Sequence, residues 1–263
     1  MFRQAIYGIG HLITRTALLK PLRNRTLTHS AYAQLYGGAK YILERPEHRF
    51  FQKNLFPGMT IFDVGAHTGH YSALFSTLVG AQGRVYSFEP DTWSFSALRN
   101  HLQHRSNVQQ MPLALGSVIQ KTSFYPNAQS RANSSLLRRT HSEEPITVDM
   151  TTIDSFCSQQ GIKQIDALKI DTEGAETAVL HGAEKLLKER PPLWIMVELF
   201  PEILQKAGTS TSELCAILLQ SNYLLNSLSS DGSCIPIADI DAFILGCSSG
   251  YANIVAIHKH SPA

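Results

Sequence analysis

Cysteine is scarce in this chain of 263 residues, and none of its four cysteines has the spacing of a metal site. They form no C-x-x-C pair and have apolar or serine-rich neighbours, so neither a zinc site nor a disulfide framework is indicated. The 11 histidines also lack the i, i+4 spacing of a zinc-protease helix. We therefore assign no metal ligand and expect a protein of the reducing cytoplasm. The cysteines are Cys157, Cys215, Cys234 and Cys247.

A large excess of one charge is missing as well. The 23 basic and 21 acidic residues leave a net charge of +2 and a pI near 8.3. The sequence has no arginine-rich run and no interleaving of basic and aromatic residues, so it does not predict a nucleic-acid-binding surface. With 43% hydrophobic residues, the chain can bury the core of one enzyme-sized domain.

The chain also lacks an apolar run of the ~20 residues that a membrane-spanning helix requires. Near the N-terminus, apolar residues recur at helical spacing, with Arg3 and Arg15 on the opposite side. Pro21 ends this predicted helix and no small-residue cleavage site follows, so we predict neither an anchor nor a signal peptide. Two interpretations remain. In the first, residues 1–45 form a helical cap over a cleft in the domain of residues 46–263. In the second, the helix makes peripheral contact with anionic lipid at the inner face of the membrane.

The most informative motif is the run IFDVGAHTGHYS, residues 61–72. Its apolar start predicts a short buried parallel strand, and residues 71–79 predict the helix that follows. Gly65 and Gly69 lie in the turn between them, where glycine permits a positive φ or a close backbone approach. Such a turn is typical of a site for a nucleotide-type cofactor at a helix N-terminus.

This turn differs from the dinucleotide fingerprint, which requires glycine at its first, third and sixth positions. Those positions are Gly65, His67 and His70, so two of the three do not match. Because the second glycine admits a pyrophosphate, a histidine there favours a cofactor without a diphosphate. S-adenosylmethionine is such a cofactor. Its ammonium would face Asp63, and N–H groups of the turn would bind its carboxylate.

A second acid, Glu89, follows the predicted strand GRVYSF and precedes Pro90. It lies 24 positions after Gly65, close to the roughly 20 expected for an acid that binds ribose hydroxyls. A carboxylate can accept hydrogen bonds from both hydroxyls at once. We predict that Glu89 binds the cofactor ribose, and the alternative is an ordinary surface carboxylate.

Four blocks of sequence carry a family resemblance: FDVGAHTGHYS from Phe62, YSFEPD from Tyr86, NVQQMPLALGS from Asn107 and ALKIDTEGAETAVLHGAEKLL from Ala167. The last is the most specific, because it joins a strand, a KID-x-EG turn and a helix. Over about residues 44–201 the chain resembles the FkbM-type S-adenosylmethionine-dependent methyltransferases. It departs from them at position 67, where asparagine is common in the family.

The resemblance implies a fold and a cofactor site. The fold is α/β, a Rossmann-like class I methyltransferase with a seven-stranded, mostly parallel sheet of order 3-2-1-4-5-7-6 and helices on both faces. The cofactor is S-adenosylmethionine. The predicted cofactor-binding residues are Asp63, Gly65, Ala66, His67, Gly69, Tyr71, Ser72, Glu89, Pro90, Ala114, Leu115 and Asp171.

Two further acids follow the predicted fourth strand, residues 165–170. Asp171 and Glu173 would lie at the carboxyl edge of the sheet, on the side of the cofactor. Because a sulfonium is an activated methyl donor, the enzyme must align the reactants, exclude water and accept the proton of a hydroxyl. We predict Asp171 and Glu173 as catalytic residues. The alternative is that Asp171 caps the helix starting near Gly174. Lys169 is expected to face one side of the strand without taking part in chemistry.

The stretch of residues 127–145 is polar and basic. It predicts either a mobile loop that binds the acceptor or cofactor, or a solvated excursion. The family resemblance favours Ser134 and Ser135 as acceptor-binding residues, and we add Arg138 from the same loop. Glu198, at the end of the predicted fifth strand, could bind acceptor hydroxyls.

The expected activity is O-methylation of a hydroxyl, with a sugar of a glycan, glycolipid or glycosylated metabolite as acceptor. The polar candidate loop and the few spare aromatic residues favour a sugar over a flat ring. N-methylation of a peptide or amine would use the same donor site. A divalent ion on Asp171, Glu173 or Glu198 would resemble the catechol-type methyltransferases, but carboxylate spacing alone does not show one.

Two other classes of protein match part of the pattern. A NAD-dependent oxidoreductase shares the strand, glycine turn, helix and acid, but the missing glycines and the absence of a Tyr-x-x-x-Lys pair argue against it. A non-catalytic binding module would keep the sheet alone, and the presence of Asp63, Glu89 and Asp171 argues against that reading.

Overall fold

The computed structural model describes residues 38, 40–127, 134–138, 144–247 and 250–259. Over these residues the chain forms an α/β domain with an eight-stranded main sheet and a second sheet of three strands. The described strands are β1 (Thr60–Val64), β2 (Arg84–Phe88), β3 (Val108–Met111), β4 (Ala114–Leu115), β5 (Gln120–Phe124), β6 (Ile146–Thr151), β7 (Ala167–Ile170), β8 (Trp194–Leu199), β9 (Tyr223–Leu228), β10 (Cys234–Pro236) and β11 (Ala252–His258).

The order across the main sheet is β10-β9-β11-β8-β7-β1-β2-β3. Five neighbouring strands run parallel to one another, namely β8, β7, β1, β2 and β3. Strand β11 runs antiparallel to both β8 and β9. With β10 left out and the other strands of the main sheet numbered along the chain, this is the predicted order 3-2-1-4-5-7-6, which the structure confirms. The described sheet has one strand more than predicted, because β10 pairs with β9 at its edge.

Strand β10 gave no sequence signal because it is short and solvent-exposed. Its three residues are all exposed, and Pro236 lacks the N–H that a strand interior requires. The turn before it contains Asp231 and Gly232. That turn is closed by the side chain of Asp231, which accepts hydrogen bonds from Ser233 and Lys53.

The second sheet has the order β4-β6-β5. Strands β5 and β6 lie on either side of the polar loop and pair antiparallel. Phe124 of β5 and Val148 and Met150 of β6 form a small separate core with Ala114 of β4. The base of the predicted acceptor loop is thereby fixed beside the main sheet.

Helices cover both faces of the main sheet. The described helices are α1 (Arg45–Asn54), α2 (His70–Val79), α3 (Thr92–Leu102), α4 (Ile153–Gln160), α5 (Glu176–His181), α6 (Glu184–Glu189), α7 (Pro201–Lys206), α8 (Thr211–Gln220) and α9 (Ile240–Gly246). Several begin at a capping side chain that accepts a backbone N–H three residues later. These caps are Asp91, Thr152, Ser210 and Asp239.

Two apolar cores lie on opposite faces of the sheet. Because side chains alternate along a strand, Ile61 of β1 belongs to one core and its neighbour Phe62 to the other. The α4 side chain Phe156 packs on Phe62, whereas Phe75 of α2 lies in the core of Ile61. Burial on both faces explains why the central strands are mostly apolar, with Asp63 in β1 and Lys169 in β7 as buried charged exceptions.

Most of the predicted N-terminal cap, including its amphipathic helix, lies outside the described residues. Residues 40–43 are helical, and α1 begins at Arg45. Helix α1 packs on the domain, with the rings of Phe50 and Phe51 at 5.1 and 5.7 Å from that of Trp194. The boundary between residues 45 and 46 stays a prediction. No helix in the described part of the chain has the length and apolarity needed to cross a membrane.

The turn after β1 passes close to the turn after β7. Gly65 has a φ of +78°, and a Cβ added there would lie 1.8 Å from the carbonyl oxygen of Asp171. The N–H of Asp171 donates to the carbonyl of Val64 in the same place. Glycine is therefore required at position 65 by both the backbone conformation and the available space.

We expect Gly65→Ala to lower the free energy of unfolding by about 3 kcal/mol or more, because left-handed strain of ~1–2 kcal/mol adds to an overpacking cost of ~1–3 kcal/mol. Urea unfolding monitored by circular dichroism measures this loss. Gly208→Ala is the matched control, since Gly208 has a φ of +79° and nothing within 4 Å of an added Cβ. It should lose only the strain, about 1–2 kcal/mol. Equal losses in the two variants would contradict the close approach.

Candidate functional site

The predicted site residues meet at one edge of the main sheet. Parallel strands β1, β2, β7 and β8 end there, and ligands of such sheets bind at that edge. The glycine turn follows β1, Glu89 follows β2, and Asp171 and Glu173 follow β7. Glu198 is the next-to-last residue of β8. The structure thus brings the predicted cofactor and catalytic residues together.

The glycine turn is held by backbone hydrogen bonds. The N–H groups of Gly65 and Ala66 both donate to the carbonyl of Phe88, at 3.0 Å. His67 has a φ of +51°, which is uncommon for a residue with a side chain. Gly69 is the N-cap of α2 and makes no side-chain capping bond. The first turn of α2 therefore presents N–H groups to which an anionic group can bind.

Glu89 connects the turns after β1 and β2. Its Oε2 accepts from the N–H of His67 and its Oε1 from the N–H of Asp91, both at 2.8 Å. The side chain is buried, and burial raises its pKa to about 8 despite these hydrogen bonds. The alternative that Glu89 is an ordinary surface carboxylate is wrong, because the side chain is buried. Its contact with a cofactor ribose stays a prediction.

Asp63 lies inside β1 and is fully buried. Its Oδ2 accepts from the hydroxyl of Ser72 at 2.6 Å, and Ser87 donates to that hydroxyl at 2.8 Å. Its Oδ1 lies 3.5 Å from the ammonium of Lys169. Asp63 and Ser72 therefore contact each other beneath the glycine turn, and their contact with cofactor stays a prediction.

Lys169 is the residue that sequence reasoning missed. Its side chain is 5% exposed, and its ammonium lies between Asp63 and Asp171, at 3.5 and 3.3 Å. Burial lowers the pKa of Lys169, but the two carboxylates outweigh it and hold the pKa above its ordinary value. A signal was present, because a lysine in the middle of a buried strand requires a buried partner of opposite charge.

Asp171 is an ion-paired carboxylate. Burial raises its pKa, but Lys169 and Lys40, at 3.3 and 3.7 Å, outweigh that effect and hold it below its ordinary value. The alternative that Asp171 caps the following helix is wrong. Helix α5 begins at Glu176, whose own carboxylate accepts from the N–H groups of Thr172 and Gly174.

Asp171, Glu173 and Glu198 each offer a carboxylate oxygen, and these oxygens lie within 4.8 Å of one another. Glu173 has a φ of +57°, so the turn after β7 holds it in a left-handed conformation. Burial, followed by the charges of Asp171 and Glu173, raises the pKa of Glu198 well above its ordinary value. The cluster can bind hydroxyl groups, and its geometry would also admit a divalent ion.

The segment before α1 covers this site. Lys40 pairs with Glu44 at 2.8 Å, and the hydroxyl of Tyr71 donates to the same carboxylate group. The ring of Tyr71 lies 5.6 Å from the Lys40 ammonium and 5.2 Å from that of Lys169. Tyr71 is thus packed between two lysines, which is a favourable cation–π arrangement. Its predicted contact with a cofactor stays a prediction.

His48 and His70 form a hydrogen-bonded pair beside Tyr71, with their Nε2 atoms 2.9 Å apart. Because Nδ1 of His48 faces the carbonyl of Glu44, it carries the proton, so Nε2 of His48 accepts and His70 donates. Burial lowers the pKa of both rings, that of His70 to about 3. The pair is therefore neutral near pH 7.

The described part of the polar loop is ordered by its own side chains. The hydroxyl of Ser134 accepts from the N–H of Asn127, and that of Ser135 accepts from the N–H of Leu137. Ser135 is 1% exposed, whereas Arg138 is exposed. A Cβ on Gly174 would lie 2.7 Å from Leu137 Cδ1, so the loop reaches the turn after β7. Acceptor binding by Ser134, Ser135 and Arg138 stays a prediction.

The remaining predicted cofactor residues lie at the edge next to β2. Pro90 is half-buried, while Ala114 and Leu115 are buried in β4. The N–H of Glu89 donates to the carbonyl of Met111, which places the end of β3 beside the cofactor edge. Ala114 and Leu115 can therefore contribute apolar contacts or backbone groups only.

The order of the sheet, the glycine turn after its first strand and the acids after its second and fourth strands define a Rossmann-like domain of the class I methyltransferase type. The chain belongs to the family described as the methyltransferase FkbM domain, whose model matches residues 63–225. This match confirms the family that the motifs predicted.

Two curated relatives carry methyltransferase names. The 31-O-demethyl-FK506 methyltransferase FkbM of Streptomyces tacrolimicus is 30% identical over 158 residues, covering 49% of this chain and 60% of the relative. The 2-O-methyltransferase NoeI of Sinorhizobium fredii is 23% identical over 146 residues, covering 50% of this chain and 60% of the relative. The alignments thus span about three fifths of each relative's length.

Similar solved structures carry methyltransferase names too. Methyltransferase FkbM from Methylobacillus flagellatus has a TM-score of 0.48 at 16% identity, covering 85% of this chain and 53% of that one. A putative methyltransferase from Streptococcus mutans in complex with SAH has a TM-score of 0.45 at 12% identity, covering 80% of this chain and 94% of that one.

The histidine pair predicts a pH-dependent difference in stability between the protein and a His70→Gln variant. A histidine whose pKa is about 3 when folded, against 6.5 when unfolded, takes up a proton on unfolding below pH 6.5, so acid favours the unfolded state. We expect the stability advantage of the unmodified protein over the variant to shrink by about 1–2 kcal/mol between pH 7 and pH 5. Urea unfolding at both pH values measures it. His181→Gln, at a half-exposed histidine, is the control, and a constant advantage would contradict the buried neutral pair.

Proposed function

We propose that the protein is an S-adenosylmethionine-dependent O-methyltransferase that methylates a hydroxyl of a sugar in a glycan, a glycolipid or a glycosylated metabolite. The observation that carries this proposal is the meeting of Asp171, Glu173 and Glu198 within 4.8 Å beside the glycine turn. Family membership supports methyl transfer. The printed names of both curated relatives specify O-methylation, which supports an oxygen acceptor.

The cofactor half of the site fits the groups that S-adenosylmethionine carries. The uncapped first turn of α2 would bind the cofactor carboxylate, and Glu89 would accept from the ribose hydroxyls. When bound, the cofactor supplies an activated methyl group on a sulfonium, which passes to the acceptor oxygen as S-adenosylhomocysteine leaves.

Asp171 is the group that would accept the hydroxyl proton. Its two lysine neighbours keep it ionised, so it can accept a hydrogen bond from a neutral hydroxyl. A carboxylate with a low pKa is a weak base towards an alkyl hydroxyl. The proton therefore moves to Asp171 late, as the new oxygen–carbon bond forms and makes the oxygen acidic.

The pKa of Glu198 is shifted in the opposite direction to that of Asp171. Burial, followed by the charges of Asp171 and Glu173, raises it well above its ordinary value, which favours the protonated form that can donate as well as accept a hydrogen bond. Two neighbouring carboxyl groups whose pKa values are shifted apart are a common basis for separate roles at one site. Glu198 would hold a second hydroxyl of the acceptor while Asp171 faces the reacting one.

The surroundings of Glu198 favour a sugar as acceptor. Phe200 follows β8, and its ring lies 5.6 Å from that of Tyr251, just before the antiparallel strand β11. A half-buried aromatic pair beside carboxyl groups offers an apolar face together with hydrogen-bonding groups, as a sugar ring requires. An amine acceptor would also be attracted by the carboxylates, which keeps N-methylation as the alternative. The family match argues against a NAD-dependent oxidoreductase.

We expect Glu89→Ala to weaken binding of S-adenosylhomocysteine about tenfold or more, because its hydrogen bonds to two ribose hydroxyls, of ~0.5–1.5 kcal/mol each, are lost. Isothermal titration calorimetry measures the dissociation constant. Glu184→Ala is the matched control, since the Glu184 side chain is 81% exposed on α6 and should leave the affinity unchanged. Unchanged affinity in Glu89→Ala would place the ribose elsewhere, and absence of binding to the unmodified protein would reject the cofactor.

Asp171→Asn should lower turnover by ~100-fold or more, because general-base assistance contributes roughly 10²–10⁴-fold. Affinity for S-adenosylhomocysteine should change little. The assay measures transfer of a radiolabelled methyl group to a panel of glycans, glycolipids, glycosylated metabolites and amines. Methylation of amines alone would favour the N-methyltransferase alternative.

Asp149→Asn is the control for this variant, since Asp149 lies on β6 in an exposed ion pair with Lys121. Unchanged turnover in Asp171→Asn would remove Asp171 from the chemistry. Turnover of the unmodified protein that is lost on EDTA treatment and restored by Mg²⁺ would instead assign the three carboxylates to a metal ion.

A further inference from the structure

We propose that Lys169 is a positioning residue that couples the cofactor half of the site to the acceptor half, because one buried ammonium holds Asp63 and Asp171 at the same time. This inference rests on the proposed function for the meaning of the two halves. The ion pairs themselves can be tested without it.

The fold brings the three side chains together through strand register. Lys169 on β7 lies directly beside Asp63 on β1, since these residues are partners in the parallel pairing of the two strands. Asp171 is two positions after Lys169, so its side chain leaves the chain on the same face. The Lys169 ammonium is 3.5 Å from Asp63 Oδ1 and 3.3 Å from Asp171 Oδ2.

Lys169 supplies the counter-charge for Asp63. Asp63 is fully buried, and Lys169 is the cation within 4 Å of it among the described ion pairs. Asp171 has Lys40 as a second partner, and its side chain is 22% exposed. Loss of the Lys169 ammonium would therefore affect Asp63 more than Asp171, because it would leave the Asp63 carboxylate buried without a counter-charge.

A displaced Asp63 carboxylate would affect the cofactor half through Ser72. The Ser72 hydroxyl donates to Asp63 Oδ2 from the first turn of α2, next to the N–H groups expected to bind the cofactor carboxylate. Without Lys169, the Asp63 carboxylate would also no longer be held in place to face the cofactor ammonium. On the other side, Asp171 would lose the partner that fixes its carboxylate towards the acceptor. A single substitution at position 169 should therefore disturb both halves.

The test for the cofactor half is calorimetric titration with S-adenosylhomocysteine. Lys169→Met should bind it about tenfold or more weakly than the unmodified protein. Lys169→Arg, which keeps the charge, should restore most of the affinity. In an Asp63→Asn background the Lys169→Met change should have less than about a twofold effect, because interacting residues are not additive. Lys206→Met is the matched control, since Lys206 forms an exposed i, i+4 pair with Glu202.

The test for the shared ammonium is urea unfolding of two double-mutant cycles, Lys169→Met with Asp63→Asn and Lys169→Met with Asp171→Asn. The Lys169→Met/Asp63→Asn variant should be at least as stable as Lys169→Met alone, because removing the Asp63 carboxylate also removes a buried charge left without a partner. The Lys169→Met/Asp171→Asn variant should lose less stability than the sum of the two single losses, because both single variants break the same ion pair. If Lys169→Met does not fold, the Lys169→Met/Asp63→Asn double variant should fold. Failure of that double variant to fold would overturn the proposal.

Additive stability in either cycle would separate Lys169 from that carboxylate and overturn the shared role. So would a Lys169→Met variant with unchanged affinity, or a loss of equal size in the Asp63→Asn background. If the unmodified protein does not bind S-adenosylhomocysteine, the proposed function fails while the two unfolding cycles still decide whether Lys169 holds both carboxylates.

Discussion

The parallel pairing of β1 with β7 is the constraint on which the site depends. It aligns Asp63 with Lys169 and brings the turns after both strands so close that only glycine fits at position 65. The N–H of Asp171 then bonds to the carbonyl of Val64, which fixes the carboxylate next to the cofactor turn. Any displacement of the two strands would separate the residues that bind cofactor from those that face the acceptor.

Within this frame, local environment gives chemically similar acids different properties. Two lysine partners lower the pKa of Asp171, burial and carboxylate neighbours raise the pKa of Glu198, and burial raises the pKa of Glu89 although its carboxylate accepts backbone N–H groups. The residue type alone would assign all of them the same charge near pH 7. Charge at the site is therefore a product of the packing, and the packing assigns a hydrogen-bond acceptor and a donor to adjacent positions.

The segment before β1 belongs to the same arrangement. Its residues Lys40 and Glu44 contact Asp171 and Tyr71, and α1 is anchored in the core through Phe50 and Phe51. Electrostatic contacts at its start and apolar contacts along α1 hold it over the site edge. This is why part of the chain that lies outside the family match takes part in the geometry of the site.

Buried strands and glycine turns leave periodic and local signals, so the sequence by itself predicted the strands that carry the site and the positions of their acids. The order of the sheet came from the resemblance to the FkbM family. The sequence missed β10, whose exposed residues carry no such signal, and it gave Lys169 no partner. It also offered Asp171 as a candidate cap for the next helix, which begins at Glu176 without a side-chain cap. Only the tertiary structure decided these points, because register, burial and ion pairing join residues that are about a hundred positions apart, as are Asp63 and Lys169.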